Sequence, residues 1–442
     1  MTSTDLVGAH GVGGAGDLPI PAEYAIAGGS AALTLSFVVL LFAWRRARFD
    51  PAHDGRPVPG VQRMVESAPF TWTLRVVGLV FTAYVVVAAV FGEDLRINPV
   101  FGVVYVWLWV GLVPLSLAFG PVVKALSPVR TIHLLLSRFT GGDPSRGLLP
   151  FPERWGYLPA ALGLFAFVWL ELVYPGGTYL GPVRMWFALY AAVLLVGGAV
   201  YGDKWFARAD PFEVYSTLVG HLSVWGRRAD GALVVRNPMV NLRTIPVAPW
   251  LVAVIAVLLG STAFDSFREA PLWLRYIQRT DLPSTALNTA VMLGFIVAVG
   301  VVFWAATAAF RPVEGHTRLE VPGLLAHSVV PIIIGYMVAH YLTLLVEFGQ
   351  QTLIYLSDPL VRGDDLLGTG SWEVSYVFSS NPTTLATIKV LAIVTGHVLG
   401  VVAAHDRSLT LLRKRDQVVG QLPLLFVMVA FTFSGLWLLF GI

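Results

Sequence analysis

Long apolar runs separated by short polar segments dominate the chain. An apolar run of about 18 residues or more can cross a membrane as a helix. By this criterion the sequence predicts ten membrane-spanning helices, at residues 23–44, 72–92, 99–120, 157–175, 182–201, 247–263, 285–310, 322–356, 384–405 and 418–441. The eighth run is longer than one straight crossing of about 20 residues. It therefore either tilts or ends with Gln350 to Tyr355 along the outer surface. The predicted fold class is an all-α, polytopic membrane helical bundle.

Positive charge accumulates in every second connection between these runs. If the N-terminus is outside, the inner connections are residues 45–70, 121–156, 202–246, 311–321 and 406–417. Their counts of Lys and Arg are 5, 5, 6, 2 and 4, which is 22 of the 30 in the chain, whereas the outer segments hold 5. Because Lys and Arg are enriched in cytoplasmic loops, we expect a plasma-membrane protein with both termini outside.

The composition supports membrane insertion and narrows the chemistry. Only 13% of the residues are charged, against about 25% in soluble domains. The chain has no cysteine, which excludes disulfides, thiolate metal sites and a cysteine nucleophile. Basic loops that face an anionic lipid leaflet explain the net charge of +3 without a nucleic-acid partner. The lipid bilayer is the expected partner.

The chain is expected to form one domain. Residues 1–22 form an outer tail without Lys or Arg, and this tail lacks the charged start and apolar core of a signal peptide. Residues 23–442 form a single transmembrane domain. We also expect a small amphipathic surface helix at residues 212–226, within the largest inner connection.

Candidate functional residues lie inside the apolar runs, where ionisable side chains are costly and often functional. Two runs near the C-terminus carry four of the nine histidines. A helical rise of about 1.5 Å per residue separates the candidates into two depths. The inner group comprises His327, His397 and His405. The outer group comprises His340, Glu347 and Lys389, with Glu171 as an additional candidate.

Several interpretations suit these residues. Imidazoles with a carboxylate could bind a divalent transition metal, whose bound water could attack an ester. They could instead relay protons, because imidazole titrates near neutrality, or form hydrogen bonds between helices. No HExxH motif is present. We assign metal binding to the inner group and catalysis to the outer group, which mixes acid, base and imidazole where a small hydrophobic substrate would arrive first.

Several polar segments outside these runs are interpreted as structural. Residues 127–133, 209–216, 261–273 and 355–370 are rich in residues that cap helices and form turns. His10, in the outer tail, is either a copper ligand or a solvated side chain. The inner-loop histidines are expected to be solvated; they are His53, His133, His221 and His316.

Three stretches resemble a known family. They are AHGVGGAGDLPIPAEYAIAGGSAALTLSFVVL, VAHYLTLLVEFGQQTLIYLSDPLVRGDDLLGT and TGHVLGVVAAHDRSL. ADPFEVYS and STAFDSF fit the same pattern. The chain thus resembles multi-pass actinobacterial membrane proteins commonly labelled fenitrothion hydrolase. This resemblance implies hydrolysis of an organophosphate triester at a membrane, by an enzyme, and it carries over no catalytic residues. Transport and a non-catalytic scaffold role are the alternatives.

Overall fold

The computed structural model describes residues 14–52 and 55–441 and confirms the all-α prediction, with 69% of these described residues in helices. His10, for which copper binding and solvent exposure are the two alternatives, and His53 lie outside the described residues. The helices of the first half are α1 (Ala22–Ala43), α2 (Pro59–Val65), α3 (Ala68–Phe91), α4 (Pro99–Leu108), α5 (Leu112–Phe119), α6 (Val122–Leu126), α7 (Pro128–Phe139), α8 (Leu158–Leu172) and α9 (Leu180–Tyr201).

The second half contains four short helices and five long ones. These are α10 (Asp203–Ala209), α11 (Pro211–Gly220), α12 (Pro238–Leu242), α13 (Leu251–Arg268), α14 (Pro271–Arg279), α15 (Ser284–Ala308), α16 (Val321–Tyr355), α17 (Pro382–Leu411) and α18 (Leu422–Phe440). Helix α16 includes a 3-10 turn at Ala326–Val329 and a π-helical turn at Leu344–Phe348. Further 3-10 turns lie at Ala15–Asp17, Glu153–Trp155, Lys414–Asp416 and Val419–Gln421.

The number of membrane crossings agrees with the hydrophobic pattern. Among the described residues, nine helical segments are long and apolar enough to cross a membrane, and the bent pair α4–α5, with a 45° angle, makes a tenth. The chain is therefore a multi-pass membrane protein. One boundary matters for function: α13 continues to Arg268, although its apolar run ends at residue 263.

Helix α16 is the centre of the bundle. In the most apolar 18-residue stretch of α16, 72% of the residues are buried. In the corresponding stretch of α3 only 11% are buried, so α3 is peripheral. Helices α16 and α17 approach closely because glycines replace side chains at their contact. A Cβ at Gly335 would lie 2.6 Å from the Ala392 carbonyl oxygen, and one at Gly396 would lie 2.6 Å from that of Pro331. This contact holds the two histidine-bearing helices side by side.

The predicted inner connections meet on one face, which we call the inner face. Arg243 from residues 202–246 and the backbone amide of Arg48 from residues 45–70 both bond Asp406 near the end of α17. A small antiparallel sheet, in the order β1 (Arg56–Pro57), β3 (Leu233–Val235), β2 (Trp225–Arg227), covers this face. The opposite side is the outer face. That the inner face is cytoplasmic stays a prediction from the charge distribution.

Helices α10 and α11 form a hairpin that re-enters the bundle from the inner face. After α9 ends at Tyr201, α10 runs back along it, so that a side chain at Gly197 or Gly198 would overlap the ring of Trp205 or Phe206. Helix α11 then returns, with Ser216 bonded to Ser116 of α5. Nine of its ten residues are buried. The prediction of an amphipathic surface helix here is wrong, because this helix is buried in the bundle against α5, α8 and α16.

Candidate functional site

Asp265 is the centre of a buried polar cluster between the outer end of α13 and the middle of α16. It is 1% exposed and accepts hydrogen bonds from three side chains. His340 Nε2 and the Tyr341 hydroxyl lie 2.8 and 2.7 Å from its Oδ2, and Arg268 Nε lies 2.8 Å from its Oδ1. A buried carboxylate is tolerated when charged donors satisfy it. Asp265 therefore links an imidazole, a phenol and a guanidinium within one network.

Two further carboxyl groups belong to this cluster, which we call the outer cluster. Glu171, near the end of α8, lies close enough to act electrostatically on both Asp265 and Arg268. Glu269 directly follows α13, and burial, followed by the charge of Asp265, raises the pKa of its carboxyl group. Among the described residues, Glu171 Oε2 and Glu269 Oε1 are buried without a hydrogen-bond partner. Each of these oxygens could therefore hold a proton.

Lys389 extends the outer cluster towards the N-terminal segment. Its side chain is buried in α17 and is influenced by the carboxyl groups of Asp17 and Glu269. Asp17 ends the 3-10 turn that precedes α1. The structure therefore brings three of the predicted outer residues, namely His340, Glu171 and Lys389, to one region.

Glu347 lies apart from this cluster. Its carboxylate oxygens accept hydrogen bonds from the Ser379 amide at 2.9 Å and the Ser379 hydroxyl at 2.6 Å. It is buried in the π-helical turn of α16. These contacts tie the outer part of α16 to the loop before α17.

The inner histidines do not converge. His405 bonds the Trp44 carbonyl and the Gln421 side chain, both at 2.9 Å. His327 and His397 bond backbone carbonyls of their own helical segments, those of Leu324 and Ile393. In the described part of the chain no three His, Asp or Glu side chains are placed to hold a metal ion. The predicted metal ligands His327, His397 and His405 therefore do not form a shared metal site within the described ranges.

Two of these histidines have one buried ring nitrogen whose hydrogen bonding is not satisfied by the described residues. Considering only the described residues, Nε2 of His327 and Nε2 of His397 have no hydrogen-bond partner. His397 packs edge-on against Tyr336, with 5.6 Å between ring centroids. Among the predicted solvated histidines, His133 is buried and bonds the Pro144 carbonyl at 3.2 Å. His133 is therefore part of the inner packing.

An apolar cavity of about 590 Å³ lies elsewhere, between α16, α17 and the inner segments. Pro331, Ile334 and Val338 of α16 face Leu391 and Thr395 of α17 across it. Leu391 is 59% exposed, so the cavity opens sideways towards lipid. No residue of the outer cluster lines it. The cavity offers space for a hydrophobic molecule, and the cluster offers ionisable groups.

The sequence interpretation missed the central residue of the cluster. Asp265 and Arg268 fall in residues 261–273, for which the sequence predicts a turn, whereas both belong to the last turns of α13. The i, i+3 spacing of this acid and base is the signal that the sequence offers, because side chains three residues apart on a helix are neighbours and opposite charges there can pair. Tyr341, the residue after His340, is also not among the candidates that the sequence suggests. No family model, curated protein or solved structure matches the chain.

Proposed function

We propose that this membrane protein moves protons across the plasma membrane, coupled to transport of a small hydrophobic solute. The observation that carries the proposal is Asp265, a carboxylate enclosed at membrane depth by His340, Tyr341 and Arg268. Ionisable groups inside spans commonly form proton relays. A purely structural bundle has no need of this network, because apolar side chains could fill the same volume.

The outer cluster has the parts that a relay needs. Glu269 and Glu171 each hold a buried oxygen without a hydrogen-bond partner among the described residues. His340 can exchange a proton through Nε2 with Asp265 at 2.8 Å. Arg268 keeps a fixed positive charge beside Asp265. A proton that enters at Glu269 therefore has acceptors on α13, α16 and α8, and the sideways cavity supplies the solute site.

The first prediction tests the relay at Glu171. Glutamine at this position keeps the side-chain size and removes the exchangeable carboxyl. We expect Glu171→Gln to lower proton flux about 100-fold, the order of effect seen when a positioned proton-transfer group is lost. Flux is measured in proteoliposomes with a trapped pH-sensitive dye and an imposed membrane potential.

A matched control separates transport from packing. Glu347 is also a buried glutamate of a span, but its two oxygens accept hydrogen bonds from Ser379 of the outer loop. Glu347→Gln should leave proton flux at the wild-type level. Wild-type vesicles that acidify no faster than empty liposomes would sink the transport proposal, as would unchanged flux in Glu171→Gln.

A second candidate function is hydrolysis of a hydrophobic ester, which the family resemblance implies. Its support is Ser266, whose Oγ lies 3.4 Å from His340 Nδ1, while His340 Nε2 faces Asp265. A serine activated by a histidine that an acid orients is the arrangement of a nucleophilic hydrolase. Ser266 would attack phosphorus, the leaving alcohol would take the proton from His340, and water would then release the enzyme-bound phosphoryl group.

Ser266→Ala separates the two functions. If the protein is a hydrolase, purified wild type should release a nitrophenol from a nitrophenyl phosphotriester, and the alanine variant should lose about 100-fold or more of that activity. If it is a proton transporter, the same variant should keep its proton flux. Equal ester hydrolysis by wild type and Ser266→Ala removes the hydrolase candidate.

A further inference from the structure

A second chain of buried charges starts at the inner face. Asp203, at the start of α10, is half exposed and pairs with Arg130 of α7 at 3.2 Å. Arg130 also donates from Nε and Nη2 to the two oxygens of Glu213, at 2.5 and 2.8 Å. Glu213 is 2% exposed. The chain of charges therefore runs from solvent into the hairpin.

Asp210 occupies the tip of the hairpin, between α10 and α11. Its Oδ1 accepts the Tyr190 hydroxyl at 3.0 Å and caps α11 through the amides of Phe212 and Glu213. Its Oδ2 is fully buried and has no hydrogen-bond partner in the described residues. Helix α10 leads from the end of α9 to this tip in only 7 residues, so the tip lies about 10 Å from the inner end of α9.

An aromatic layer separates this tip from the outer cluster. Gly163 of α8 contacts Pro211 at the tip, and Glu171 lies two helical steps of four residues further along the same face. Phe167 lies between them and packs against Phe212 and Trp109, with ring centroids 5.1 and 5.2 Å away. The two polar regions are thus about 12 Å apart along α8, with rings between them.

We infer that Asp210 is a proton-exchanging site, and that the ion pairs of Glu213, Arg130 and Asp203 connect it electrostatically to the inner face. A role for Asp210 as the inner half of a transport path, facing the outer cluster, rests on the proposed transport function. Proton exchange at Asp210 does not depend on that function. The unpartnered Oδ2 supplies the position for the proton, and the Phe167 layer closes this site from the outer face.

The charged and titratable surroundings of Asp210 favour exchange near neutrality. The groups that face it are Tyr190 from α9, Glu213 from α11 and Arg130 from α7. Burial, and then the charge of Glu213, raises the pKa of Asp210 to about 7. The folded protein therefore binds this proton more tightly than the unfolded chain. On this account the contribution of Asp210 favours folding less as the pH rises towards about 7.

Infrared difference spectroscopy of the purified full-length protein tests the inference without requiring transport. We expect a carboxylic acid band that disappears as the pH rises through about 7 and that is absent in Asp210→Asn. Asparagine keeps the oxygen that caps α11, so the variant should fold. Asp203 is the exposed first member of this series of charged residues, so Asp203→Asn is the matched control and should keep the band.

The outcomes separate this inference from the proposed function. An identical carboxyl band in wild type and Asp210→Asn would overturn the assignment of Asp210. A band that titrates and is lost in Asp210→Asn supports it, even if wild-type proteoliposomes show no proton flux, in which case only the transport proposal fails. Where flux is present, Asp210→Asn should lower it as strongly as Glu171→Gln does.

Discussion

Replacing Asp265 with asparagine is expected to lower proton flux about 100-fold or more while the protein stays folded. Tyr341 and Arg268 bond different oxygens of Asp265. Asparagine keeps one acceptor oxygen for Arg268, and its amide NH2 can donate to the Tyr341 hydroxyl. It cannot take up a proton from His340, whose Nε2 is 2.8 Å away. The measurement is dye-reported flux in proteoliposomes, with each variant first checked for its elution profile in detergent.

Alanine at the same position is expected to damage the fold as well. Removing the carboxylate leaves Arg268 and His340 without their common partner inside the bundle. Breaking a buried ion pair from one side costs about 3–5 kcal/mol, so Asp265→Ala should unfold at a clearly lower temperature than Asp265→Asn. If both variants keep wild-type flux, Asp265 is only a packing residue and the proposed relay is wrong.

The architecture was predictable because the hydrophobic pattern directly reports membrane crossings. Each long apolar run became a helix, and even the run at residues 99–120 was recovered as the bent pair α4–α5. Helix ends were harder to predict, because polar residues in the last turn resemble a loop. The sixth run ends two residues before Asp265, so the key carboxylate was placed outside the membrane, where its burial could not be anticipated.

The hairpin was missed for a related reason. A length criterion counts segments that cross the membrane completely, whereas α10 and α11 have only 7 and 10 residues. A short helix with charges at Asp210 and Glu213 looks like a surface helix until its neighbours are known. Its burial depends on Arg130, which lies 83 residues from Glu213 in the sequence.

For the histidines, spacing along a single helix predicts relative depth but not the contacts made with other helices. Depth along the helix separates His327 from His340, and in the structure the two side chains bond different partners. The same reasoning could not supply the partner helices. His405 faces Trp44 of the first span's end, and His397 faces Tyr336, so the inner group has three separate environments.

Asp406 carries the largest expected effect on stability outside the outer cluster. It is fully buried and joins three segments of the inner face. Its Oδ1 accepts Trp44 Nε1 at 3.1 Å and the Arg48 amide at 2.6 Å, and its Oδ2 accepts Arg243 Nη1 at 3.3 Å. These contacts fix the end of α1 against α17 and against the segment that follows the hairpin.

Asp406→Ala should therefore lower the free energy of unfolding by about 3–5 kcal/mol, because it leaves the guanidinium of Arg243 buried without its carboxylate. Thermal unfolding in detergent measures the loss. Asp416→Ala is the matched control, since Asp416 is partly exposed and 3.7 Å from Arg415; a surface pair contributes only about 0–1 kcal/mol. Equal unfolding temperatures for the two variants would mean that Asp406 does not anchor α1, and that the apolar packing of α1 against α17 and α18 holds the inner face by itself.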